Sequence, residues 1–382
     1  MNFTLSSEQL QIQQMARDFA QKELAPQAAR LDELSEFPSQ NIRKLAELGF
    51  MGMMIPPEWG GAGFDALSYV LALEEIAVGC ASTAGTLSVH NSLFNHLLFT
   101  YGNDSQKESY LRPFAEGKKL GAYALTEPST GSDAAAIQCR AIKKGSSYFI
   151  TGRKIFITSG PQADAMVLYA LTDASKKTKG ITAFIVDKNF KGFSIGKIEK
   201  KLGLCASSTS EIVLEDCEVP EENILGREGE GFKIAMASLD RGRIGIATQA
   251  LGIARAAFEA ARKYANEREA FGKKIYEFGS IQNYLADMAV KIKASRLMIH
   301  EAAWKMSEKM PFAQEASMAK LHASEAAMWV ATKAVQVFGG YGYMKDYPVE
   351  RYFREAKVTE IYEGTSEIQR LVICRNLMRE IQ

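Results

Sequence analysis

From Ser6 to about residue 118, apolar residues recur at helical spacing. The clearest run carries Leu10, Ile12, Met15, Phe19 and Leu24, opens on a Ser6–Gln9 capping box, and is expected to end at Pro26. Further helices are expected over about Ser39–Leu48, Asp65–Val78, Ala84–Tyr101 and Asp104–Glu116. Pro56–Gly63, with two prolines and three glycines, reads as a shaped loop that is not helix. Near Gly121 the pattern changes to short β-rich runs: Ser147–Thr151, Lys154–Thr158, Ala165–Tyr169, Ile181–Val186, Phe193–Ile198 and Glu211–Leu214. Gly152-Arg153 is the expected hairpin turn between the first two. Helical period returns after Gly231, in runs over about Phe232–Arg268, Ile281–Glu308, Phe312–Phe338, Val349–Thr359 and Ser366–Glu380. Strands do not alternate with helices, so the fold class is α+β. It is read as a helical domain over 1–119, a small β domain over 120–229 and a helix bundle over 230–382.

Composition narrows the function classes. The 382 residues exceed what one hydrophobic core usually organises, and 47% hydrophobic with 24% charged residues is ordinary for a globular chain. Lys plus Arg number 46 against 45 Asp plus Glu, so a net charge of +1 offers no field for nucleic acid or an anionic membrane surface. No apolar run reaches membrane-spanning length, so no membrane insertion is expected. No secretory signal opens the sequence, and a cytoplasmic location is expected, or the mitochondrial matrix for a processed chain. Five scattered cysteines without a Cys-x-x-Cys pair suit a reducing compartment, and four histidines without ligand spacing give no reason to expect a metal.

The nucleotide fingerprints are missing. Gly229-Glu230-Gly231 and Gly339-Gly340-Tyr341-Gly342 lack the Gly-x-Gly-x-x-Gly spacing after a strand, and there is no nucleophile elbow, Walker loop or His-Glu-x-x-His helix. Tyr123–Asp133 joins a strand to a loop dense in hydroxyls and backbone donors. Alone, it is either a β-turn built on Pro128 and Gly131 or a site for a neutral polar ring edge. Phe156-Ile157-Thr158 is, alone, a strand end. Glu363 precedes Gly364-Thr365-Ser366 at a break between helical runs, where Ser366 is placed to cap the final helix. Spacing does not separate Glu363 from Glu360 and Glu367 as a chemical carboxylate.

Taken together, these segments resemble the acyl-CoA dehydrogenase family over essentially the whole chain. The resemblance rests on Thr126-Glu127-Pro128 with Gly131-Ser132-Asp133, on Gln336–Gly342, and on Tyr362-Glu363-Gly364-Thr365. Thr359–Leu371 and Leu239–Ala247 look most like the short-chain, butyryl-CoA type. The resemblance implies an N-terminal helical domain, a middle β-barrel and a C-terminal four-helix bundle. It also implies FAD, a homotetramer, an acyl-CoA substrate oxidised to the trans-2-enoyl-CoA, and electron-transferring flavoprotein as acceptor; medium or branched chains, an oxygen-using oxidase and an inactive scaffold are the alternatives.

By the same resemblance Glu363 matches the catalytic base. In the isovaleryl-CoA branch the base instead occupies the position aligned with Gly242, which here has no side chain. Tyr123, Leu125, Thr126, Gly131 and Ser132 match the loop around the flavin pyrimidine, and Phe156, Ile157 and Thr158 the strand over its ring. Arg268, Phe271, Gln336, Val337, Gly339 and Gly340 match groups that reach FAD from a neighbouring subunit. Thr365 and Glu367 match a further FAD contact, while Ser132, Asp240, Arg243 and Gly364 match substrate contacts. One departure stands out: the family usually has Gln where this chain has Gly279. Gln282 or a backbone group is expected to substitute, or FAD to be held less tightly.

Overall fold

A computed structural model describes residues 4–379. The expected helix end at Glu380 and the outer limits, 1 and 382, of the expected domains lie outside the described residues. Helix α1 (Ser7–Phe19) starts at Ser6, whose Oγ accepts the Gln9 N–H at 3.1 Å while Gln9 Oε1 accepts the Ser6 N–H at 3.0 Å. The helix does not end at Pro26. A π-helical turn over Ala20–Leu24 carries it into α2 (Ala25–Leu34), whose first turn contains the proline. Then follow α3 (Ser39–Glu47), α4 (Ala66–Gly79), α5 (Ala81–Ser88), α6 (His96–Tyr101), α7 (Asp104–Gln106) and α8 (Arg112–Ala115). Further π turns join α5 to α6 and α7 to α8. Pro56–Gly63 is a loop, except that Pro57–Trp59 forms one 3-10 turn.

Eight strands form one sheet: β1 (Gly121–Ala124), β2 (Arg140–Lys144), β3 (Ser147–Thr158), β4 (Ala165–Leu171), β5 (Ile181–Asp187), β6 (Phe193–Ile198), β7 (Thr209–Pro220) and β8 (Ile224–Leu225). Their order is β6-β7-β3-β2-β4-β5-β8, and β1 lies parallel beside β4. The expected hairpin at Gly152-Arg153 is not there. Gly152, at φ 153°, instead sits at an irregularity within the continuous β3, where a Cβ would come 2.8 Å from Cys139 Sγ. The reversal lies at Gly145-Ser146, since Lys144 pairs with Ser147. Strand β4 is buried on both faces, which explains its unbroken apolar run: Val167 and Tyr169 pack toward the helices, Met166 and Leu168 into the sheet's own core.

The last third holds a small hairpin of β9 (Glu269–Ala270) and β10 (Lys273–Lys274) among five helices: α9 (Gly231–Glu267), α10 (Gly279–Ser307), α11 (Ala313–Phe338), α12 (Val349–Thr359) and α13 (Ser366–Arg379). One hydrophobic core runs from α1 and α4 through α9, α10 and α11 to α12. It is pinned by buried charge, because Glu74 on α4 meets Arg255 of α9 at 2.8 Å and Arg296 of α10 at 2.6 Å. Arg354 of α12 also reaches Asp32 of α2 at 2.8 Å, fixing the helix that leads into Glu363.

Candidate active site

After Thr359 the chain makes a tight turn and enters the left-handed region twice in succession, at Glu363 (φ 53°) and Gly364 (φ 95°). Such a φ is costly for glutamate and persists only where surrounding contacts impose it. Two hydrogen bonds close the turn: Tyr362 N–H to Val358 O at 3.1 Å and Ser366 N–H to Glu360 O at 3.0 Å. The helix that follows is not capped by Ser366. Thr365 Oγ1 accepts the Ile368 N–H at 3.4 Å, while Ser366 is already the first helical residue and its Oγ is buried without a partner.

The turn aims the Glu363 carboxylate into the protein, where both oxygens are buried and neither has a hydrogen-bond partner among the described residues. Burial pushes its pKa up to about 7, against the pull of Lys320 and Arg243. The space it occupies exists because position 242 is glycine: a Cβ on Gly242 would overlap Glu363 Oε2. The two positions that the family resemblance implies for a base thus face one another, and the Glu363 carboxylate occupies the space a side chain at 242 would need.

On either side of Gly242 in α9, Asp240 and Arg243 form a 2.6 Å ion pair, and Arg243 also donates to Ser317 Oγ at 3.3 Å. Its Nε is buried without a partner. Tyr69 from α4 and Tyr123 from β1 complete the surroundings: both feel the Glu363 charge, and the Tyr123 hydroxyl accepts a 3.3 Å bond from Ser238 of α9. A buried, unsatisfied carboxylate beside an open guanidinium donor is equipped to take a proton from an uncharged ligand.

Comparison with known proteins accounts for this arrangement. The chain matches the family models for the acyl-CoA dehydrogenase N-terminal domain over residues 6–118, the middle domain over 122–217 and the C-terminal domain over 229–378. It is 52% identical over 379 residues to the short-chain specific acyl-CoA dehydrogenase of Clostridium acetobutylicum, covering 99% of this chain and 100% of that one. The chain belongs to the acyl-CoA dehydrogenase family. It is also 47% identical to the acryloyl-CoA reductase (NADH) of Anaerotignum propionicum over 99% of this chain and 96% of that one. Among solved structures, it superposes on butyryl-CoA dehydrogenase from Megasphaera elsdenii with TM-score 0.97, 46% identity and coverage of 99% and 100%. A chain solved in work on the electron transferring flavoprotein of Acidaminococcus fermentans gives TM-score 0.98, 50% identity and the same coverage.

Acyl-CoA dehydrogenases are FAD-dependent oxidoreductases, and the residues of this one fit the cofactor. Phe156 stands 61% exposed at φ 58°, an apolar surface with no cover from its own chain, at the end of β3 that also carries Ile157 and Thr158. Beside it, the Leu125–Ser132 loop is fastened to β3 by Ile155 N–H to Thr126 O at 2.9 Å. Lys154 also grips it, donating to Leu125 O at 3.1 Å and Glu127 Oε1 at 2.7 Å. Gly131 and Ser132 are exposed at the loop tip, and a Cβ on Gly131 would meet nothing.

The remaining candidates fall into two separate groups. Arg268, Val337, Gly339 and Gly340 line a cavity of about 550 Å³, in which both glycines face open space. Gln336 is exposed outside it, and Phe271 is 96% exposed at φ 52° on the tip of the β9–β10 hairpin. Thr365 and Glu367 line a smaller recess of about 200 Å³ with Lys357 and Glu360. Gly279 is exposed at the start of α10 with nothing near it. Neither group joins Glu363 within one chain.

Sequence reasoning missed Lys320, Gln249 and the Glu127–Lys154 pair. Lys320 left a trace: it interrupts a buried stripe of Ala316, Ala319, Ala323 and Ala327, where a charge needs a reason. Gln249, buried between Gly245 and Gly252, left none.

Proposed function

We propose that this dehydrogenase oxidises short-chain acyl-CoA thioesters to trans-2-enoyl-CoA, with Glu363 as the base that removes the α-proton. The observation that carries the reading is the Glu363 carboxylate, buried, unpartnered, and given room by Gly242. A thioester α-proton is too weakly acidic for a carboxylate in water, so the site must raise the base and stabilise the charge that develops on the carbonyl. Burial does the first by lifting Glu363 to about 7. For the second, no acceptor among the described residues takes the Glu363 N–H, which leaves it available to a thioester oxygen. FAD, when bound, supplies the acceptor for the β-hydride. The Asp240–Arg243 pair, with its open Nε, holds the polar part of the substrate.

A short acyl chain is supported by Gln249, two turns along α9 from Gly242. Its amide donates to Ala81 O at 2.7 Å, its oxygen accepts the Tyr362 hydroxyl, and its Nε2 would lie 3.0 Å from a Cβ on Gly85. That side chain fills the space between α5 and α9, which supports a preference for a short acyl group. Replacing it by alanine opens the floor: the ratio of kcat/KM for octanoyl-CoA over butyryl-CoA rises about tenfold or more in Gln249→Ala. An unchanged ratio would place the limit elsewhere.

The outward-facing Arg268, Phe271, Gln336, Gly339 and Gly340 support a homotetramer in which one subunit completes another's FAD site. The likeness to the chain from the Acidaminococcus fermentans work supports electron-transferring flavoprotein as acceptor. The likeness to an acryloyl-CoA reductase favours a second reading, in which the same site runs toward reduction and Glu363 returns the proton to Cα. Assays of acyl-CoA oxidation and enoyl-CoA reduction with the partner flavoprotein separate the two.

A further inference from the structure

We propose that Lys320 and Gln369 are positioning residues for the base: together they clamp the left-handed Glu363–Gly364 backbone from α11 and α13. The inference rests on Glu363 being the base. Lys320 lies on α11 with its side chain fully buried, and its Nζ donates to Gly364 O at 2.7 Å. Gln369, one turn into α13 and equally buried, donates from Nε2 to the same oxygen at 2.9 Å and to Glu363 O at 3.2 Å. The Gly364 carbonyl is therefore held from both α11 and α13, and the Glu363 carbonyl from α13. A conformation this unfavourable needs such restraint, because an unheld Glu363 would relax to negative φ and swing its carboxylate away from Gly242.

Burying an ammonium is expensive unless it has compensating partners. A carbonyl alone is thin compensation, and the Lys320 pKa is pushed down to about 8 by burial despite the upward pull of Glu363. Glu360 and Glu367 also raise it and Arg243 lowers it. From the Glu363 side, the facing groups are Lys320 on α11, Arg243 on α9, Tyr69 on α4, Tyr123 on β1 and Tyr362 in the turn. Only the two cations oppose burial, and Lys320 contributes more than Arg243. The sign follows. Turnover needs the ionised carboxylate and is lost as pH falls through the Glu363 pKa, so removing the Lys320 charge moves that acidic limb upward.

The test compares FAD-loaded wild type with Lys320→Gln, Lys320→Met, Gln369→Leu and Glu363→Gln. Lys320→Gln removes the charge and keeps a donor: the acidic limb of kcat moves up by about one pH unit, with the high-pH plateau within about threefold of wild type. Lys320→Met shows the same shift and a plateau about tenfold lower, with KM changed far less than kcat. Gln369→Leu lowers the plateau and leaves the limb in place, and it decides the clamp if neither Lys320 variant folds with FAD. A plateau equal to wild type in both Lys320→Met and Gln369→Leu overturns the proposal while leaving the base in place. Near-normal turnover in Glu363→Gln overturns both.

Discussion

Glu363 and Gly242 are read best as a pair. The carboxylate needs a cavity on α9, and the glycine is that cavity, so the acid and the absent side chain are one structural fact seen from two positions. Gly242→Ala puts a methyl group into Oε2 and forces the base aside, and a displacement of this kind costs about 100-fold when a reacting group loses alignment. The expected result is a fall in kcat of that order with FAD retained, read by turnover and flavin content of the same sample; an alanine variant with full activity would show that the carboxylate works from another place. Glu363, Asp240 and Arg243 were legible as a motif because they lie in short runs that match the family. Lys320 and Gln249 act through Gly364 and Tyr362, 44 and 113 residues away, and no local pattern encodes those distances.

At the scale of elements, α12 was legible from its own period, and α9, α10, α11 and α13 to within a few residues at each end. Two breaks were misread for a common reason. Pro26 and Gly152 look like punctuation, but a π turn absorbs the first and an irregularity in β3 the second, and both depend on neighbours: Gly152 is required by the backbone of Cys139 beside it. The same strand holds the Leu125–Ser132 loop through Lys154, which is wholly buried and paired with Glu127; that carboxylate also accepts the N–H groups of Gln138 and Cys139 at 2.6 and 3.0 Å. Lys154→Met leaves a buried carboxylate without its cation, a change that costs about 3–5 kcal/mol in comparable cases. Urea unfolding of the variant is expected to show a loss of that order together with weaker FAD binding. A stability within about 1 kcal/mol of wild type would mean that the backbone donors alone satisfy Glu127.

The whole molecule presents a second, outward set of the residues proposed to meet the cofactor. Arg268, Phe271, Gln336, Gly339 and Gly340 face solvent in one chain, and an almost fully exposed phenylalanine at positive φ has no role there that its own chain supplies. Gly279 is exposed at the start of α10. A side chain there meets no obstacle, so Gly279→Gln is expected to fold normally and to slow FAD dissociation about tenfold by adding an amide where relatives carry one; no slowing would mean that Gln282 or the backbone already holds the cofactor. The most direct measurement of the account is anaerobic addition of butyryl-CoA to purified wild type and Glu363→Gln, following flavin absorbance near ~450 nm. The account predicts rapid bleaching in wild type and, in the variant, retained FAD and bound acyl-CoA with bleaching slowed about 1,000-fold or more. Bleaching of the variant at a near-wild-type rate would contradict it and place the base on another residue.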